Sequence, residues 1–82
     1  ALLLYRLGEY YGQQSDFYTA FDYLFKALSE YKRIGARAEI ARTYNQIAWG
    51  YAYQRNYKAA QANLDLAYEV TSHINYPLLL AD

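Results

Sequence analysis

Apolar residues recur along this chain at helical spacing. Leu4, Leu7, Gly8 and Tyr11 fall at i, i+3, i+4 and i+7, one face of a first helix. Gln13-Gln14-Ser15-Asp16 interrupts that pattern. Ser15 or Asp16 is placed to cap a second helix, since a short side-chain oxygen there can accept a free amide of the first turn. From Phe17 the period runs through Phe21, Leu24, Ala27, Leu28 and Tyr31 to Ile34, and Gly35, at ease with positive φ, ends it. A third helix is predicted over about residues 37–54, with Ile40, Tyr44, Ile47, Ala48 and Tyr51 on its apolar face. Arg55-Asn56 makes the next turn, Asn56 being the cap. A fourth helix follows over about 57–74 through Ala60, Leu64, Ala67 and Tyr68. Asn75-Tyr76-Pro77 predicts a stop, because proline suits the first turn of a new helix, and residues 77–82 read as the start of a fifth. No strand pattern competes. The fold class is all-α, and the short turns predict two antiparallel hairpins.

Sliding the chain against itself by forty residues aligns Tyr11 with Tyr51, Ala20 with Ala60, Leu24 with Leu64 and Ala27 with Ala67. Leu7/Ile47, Gly8/Ala48, Asp16/Asn56 and Phe17/Tyr57 add close substitutions. The matches fall on the inward positions and the outward positions vary, as expected of stacked helical hairpins. The small pairs Gly8/Ala48 and Ala20/Ala60 mark where the helices of a hairpin approach closely. Tyr11/Tyr51 fill the wider gap beside them, and Ala27/Ala67 leave room for the next hairpin.

With these residues in place the chain resembles the tetratricopeptide repeat (TPR) family. The first unit supplies Leu4, Leu7-Gly8, Tyr11, Ala20, Leu24 and Ala27; the second supplies Tyr44, Ile47-Ala48, Tyr51, Ala60, Leu64, Ala67 and a closing Pro77. Leu4 and Tyr44 stand where the family pattern has Trp, Gly35 stands where Pro would close the first unit, and the period is forty against about 34. This long form is similar to repeats of Pins-type polarity adaptors and of the sensory segments of bacterial signalling proteins. The resemblance implies a TPR-like α-solenoid segment: repeat 1 over about 1–35, repeat 2 over about 36–75, then the start of a further helix at 77–82. It reads as a piece of a longer array.

A second stripe runs along the third helix, where Arg42, Asn45, Trp49 and Tyr53 are spaced 3, 4 and 4 apart, roughly opposite the core stripe. Aromatic residues flanked by Arg and Asn are the mixture that anchors interfaces. In the resembled family this side of each first helix lines a concave groove. The resemblance therefore implies a peptide- or partner-binding groove built from Tyr5, Glu9 and Gln13 with Arg42, Asn45, Trp49 and Tyr53. The competing reading is that Trp49 and Tyr53 pack against neighbouring repeats or Tyr5. On the convex side Tyr18 and Phe25 are seven residues apart and are expected to be exposed or covered by another chain. Together with Leu78, Leu79 and Leu80 on an unpartnered last helix, they suggest a homodimer through uncapped helix surfaces.

Composition narrows the functions. The 82 residues are 55% hydrophobic and 20% aromatic, which favours a packed domain over a disordered one, although a chain this size buries only about 60% of its unfolded surface. Eight basic residues balance eight acidic ones, without the basic excess that marks a nucleic-acid partner. No apolar run approaches the roughly 20 residues of a membrane span. Zero cysteine and one histidine, His73, leave no thiolate metal site, no Cys nucleophile and at most one imidazole. His73 is expected to meet the last carbonyls of its helix. No glycine-rich phosphate loop or paired acid–base carboxylates stand out. The expectation is a protein with no enzymatic activity, cofactor or metal that binds a protein or peptide in its groove. The alternatives are a ligand-sensing segment of a bacterial signalling protein and a structural spacer or dimerisation unit. Compartment stays open, with the cytoplasm preferred and the periplasm following only for a bacterial sensor.

Overall fold

The computed structural model describes the backbone of residues 2–81 and the side-chain surroundings of residues 2–72. Helix α1 spans Leu2–Gln13, α2 Phe17–Ile34, α3 Arg37–Tyr53 and α4 Tyr57–Ala81, and there is no strand among the described residues. The chain is therefore all-α.

The helix ends follow local chemistry. Asp16 Oδ1 accepts from the Thr19 amide at 3.3 Å at the start of α2, and Asn56 Oδ1 accepts from the Ala59 amide at 3.3 Å at the start of α4. Both turns have one conformation. Ser15 and Arg55, forty apart, each adopt φ 63°, and the following amides, Asp16 N–H and Asn56 N–H, donate back to Tyr11 O and Tyr51 O at 2.9 Å. Gly35, at φ 71°, closes α2, and the Ala36 amide donates to Tyr31 O at 3.0 Å. That reversal sends α3 back along α2 without a side-chain cap at Ala36.

Each helix packs against the next in sequence, and α1 also touches α3. The core joins Leu24, Ala27, Leu28 and Tyr31 of α2 to Ile40, Ala41, Tyr44 and Ile47 of α3, with Tyr5 from α1 and Ala67 from α4. Ala20 and Ala60 are buried as the hairpin spacing requires. The closest approach is at Gly8, where an added Cβ would lie 2.6 Å from both Cγ and Cδ2 of Leu24. Thr43 is the one buried polar side chain among the described residues; its hydroxyl donates to Glu39 O at 2.7 Å, so no polar atom is left orphaned there.

Two expectations are corrected. The fourth helix does not stop at Asn75 and no fifth begins at Pro77: α4 is one helix from Tyr57 to Ala81. Proline deletes one ladder hydrogen bond and bends a helix, at a cost of roughly 3 kcal/mol, and a helix with bonded turns on both sides can continue through it. The expected roles of His73 and Leu78–Leu80 lie outside the described side chains. Leu64, expected inward like Leu24, is exposed, because among the described residues α4 packs against α3 and no other helix. Tyr5, expected in a groove, lines the cleft described below and is at the same time buried in the core cluster.

Candidate functional site

α1, α2 and α3 enclose an open cleft of about 340 Å³. Its floor comes from small residues and from α2: Gly8, Gly12, Ala20 and Leu24, with the rings of Phe17 and Phe21. Glycine and alanine at these positions keep the helices close together and the floor low. The α3 wall carries Arg42, Asn45, Gln46, Trp49 and Gly50, and the α1 wall carries Tyr5, Glu9 and Gln13. An apolar floor thus lies under a rim bearing both charge signs and three side-chain amides.

The structure brings Tyr5, Glu9, Gln13, Arg42, Asn45 and Trp49 around this one cavity. Tyr53 stands apart from it. It lies in a neighbouring shallow depression with Trp49, Ala52, Arg55 and Tyr57, and its ring rests 4.6 Å from Trp49 and 5.8 Å from Phe17. Trp49 and Tyr53 nevertheless both keep more than half of their surface open, so packing against the rest of the chain does not consume them. Tyr18 and Phe25 on the other side of α2 are exposed as expected.

Gln46 links the two walls. Its Nε2 donates to Glu9 Oε2 at 3.1 Å across α3 and α1, which fixes the Glu9 carboxylate at the rim. Burial pushes the Tyr5 hydroxyl above its ordinary value of 10.0. The Gln46 amide opposes that shift, Glu9 adds to it, and the Arg42 guanidinium opposes it. Tyr5 thus stays protonated at neutral pH. Arg42 and Trp49 are seven residues apart, about 10 Å along α3, so one cation and one aromatic plate face the cleft two turns apart. Gln46, Phe17 and Phe21 were not among the expected groove residues. The phenylalanines carry the apolar signature of core positions, and both are half-buried residues that line the cleft.

Among the described residues no three His, Cys, Asp or Glu side chains come together to hold a metal ion, and no helix is long and apolar enough to cross a membrane. No family model, no curated protein and no solved structure matches the chain.

Proposed function

We propose that the chain is a non-catalytic binding module, a two-hairpin solenoid of tetratricopeptide type whose cleft takes an extended segment of another protein. The observation that carries this reading is the cleft's composition: an apolar floor under a rim of Arg42, Glu9, Asn45, Gln46 and Gln13. An apolar side chain of the ligand rests on Phe17 and Phe21, and its backbone meets the amides of Asn45 and Gln46. Arg42 pairs with a ligand carboxylate, for which its planar fork is suited. Trp49 covers one end as an aromatic anchor. The site is formed before the ligand arrives, so little ordering cost opposes binding.

The test is selection of random-sequence peptides on the full chain, followed by titration of the selected peptides against emission from Trp49, the sole tryptophan. The reading expects peptides with an apolar residue near an acidic one, bound at least tenfold more weakly by Arg42→Ala. Trp49→Ala, assayed by calorimetry, is expected to lose a similar factor. Circular dichroism checks that both variants are folded. Peptides that bind wild type and both variants equally would remove the cleft from the reading.

A further inference from the structure

The forty-residue register pairs positions of the inner contact between α2 and α3 with positions on α4 and α1, and two of the faces so identified are open. On α2, Leu24 is 3% exposed, whereas its counterpart Leu64 on α4 is 44% exposed; Leu28 is buried, whereas Tyr68 is exposed. On α3, Thr43 is 0% exposed, whereas its counterpart Leu3 on α1 is 70% exposed. Gly50 lies under the Phe21 ring, whereas Tyr10 is exposed. The outer face of α4 therefore matches the side of α2 that meets α3, and the outer face of α1 matches the side of α3 that meets α2. Among the described residues α4 makes no contact with α1 or α2, and Leu64 and Tyr68 on α4 and Leu3 and Tyr10 on α1 are exposed.

We propose that the outer face of α4 receives the outer face of α1 from a second copy of this chain, repeating the α2–α3 contact between molecules and closing a second cleft.

Three exchanges of side chains fit that occupant. Inside the chain the large Phe21 covers the small Gly50, with a built Cβ only 2.7 Å from the ring. Between copies the shorter Gln61 would take the place of Phe21 and the large Tyr10 the place of Gly50, so the bulk moves across the contact and is conserved. Inside the chain Gln46 reaches Glu9 at 3.1 Å. Between copies the corresponding pair is Arg6 and Trp49, a guanidinium over an exposed indole, which is the favoured cation–π combination. The third exchange concerns the shallow depression beside Trp49. Trp49, Ala52, Tyr53 and Tyr57 are the counterparts of Glu9, Gly12, Gln13 and Phe17, all of which line the formed cleft. The depression is that cleft without its far wall. A second copy's α1 supplies the wall, with Leu2, Arg6 and Glu9 standing where Arg42, Gln46 and Trp49 stand in the first.

The contact joins two different patches, so each added copy leaves one face free and assembly is open-ended. This separates it from a closed dimer that pairs one patch with itself. The test is sedimentation of the wild-type chain beside two variants, Leu64→Asp/Tyr68→Asp on the α4 face and Leu3→Asp/Tyr10→Asp on the α1 face. Wild type is expected to grow past the dimer as concentration rises, with Trp49 emission moving to the blue as the indole is covered. Each variant alone is expected to stay monomeric, and an equimolar mixture to form a one-to-one dimer that grows no further. Tyr68→Asp alone, at an exposed position, replaces the double variant if circular dichroism shows lost helicity. A wild type that is monomeric up to roughly 1 mM would overturn the proposal and assign these faces to other helices or another partner. Self-association that survives in either variant alone, or a mixture that fails to pair, would overturn it equally.

Discussion

At the scale of single residues, tight packing and burial set the expected responses. Gly8→Ala gains roughly 1 kcal/mol of helix propensity, but its methyl meets Leu24 at Cγ as well as Cδ2 within a buried layer. Overpacking of that kind costs about 1–3 kcal/mol, so a net loss of stability is expected in urea denaturation. Gly50→Ala meets the outer edge of the half-buried Phe21 ring, with Phe17 Cδ1 at an ordinary 3.6 Å, and is expected to cost less. Ser15 and Arg55 both sit at φ 63°, a left-handed conformation that costs a residue with a side chain roughly 1–2 kcal/mol. Ser15→Gly and Arg55→Gly should each raise stability by about 0.5–1 kcal/mol, after allowing for the greater freedom of glycine in the unfolded chain. A melting temperature that falls in both would refute this. Burial also raises the hydroxyls of Tyr5 and Tyr31 above 10.0. Their ionised forms are then favoured in the unfolded chain, so their contribution to stability is intact below about pH 10 and is lost as pH rises through the folded values. Thermal melts from pH 8 upward should show that alkaline loss, and Tyr5→Phe/Tyr31→Phe should flatten it.

At the scale of elements, the caps were legible because they depend on a few adjacent atoms. Asp16, Gly35 and Asn56 act where short polar side chains and glycine predict them. Asp16→Ala should cost about 1 kcal/mol, and Asn56→Ala the same, each read by chemical denaturation. The end of α4 was not legible. Pro77 carries a local signal to stop, and the backbone helix runs on to Ala81. Tyr5 lines the cleft as its place beside the apolar stripe of α1 implies, but its burial was not legible, because the core that covers it includes α3, more than thirty residues away.

At the scale of the whole molecule, the cleft and the two outer faces are consequences of how the four helices meet. The cleft depends on α1, α2 and α3 together, so loss of the α3 wall should abolish ligand binding while leaving the helices formed. Gln46→Ala is expected to free the Glu9 carboxylate from its 3.1 Å partner and weaken peptide binding modestly, without a change in helicity. Titration of the selected peptides checks this. Equal affinity would show that the Glu9 position does not matter to the ligand.

The sequence by itself determined what short-range physics decides. Periodicity set the four helices, polar caps and Gly35 set three of the turns, and the forty-residue spacing of small residues set which positions are packed. It also placed most of the cleft's rim on one side of α1 and α3, because a helical stripe is read directly from spacing. The tertiary structure alone decided exposure. Leu24 and Leu64 are the same residue at the same register, one buried and one open. Phe17 and Phe21 became a floor only through the crossing of α2 and α3. Such outcomes depend on which helix lies alongside, and that is a property of long-range packing that no local pattern carries.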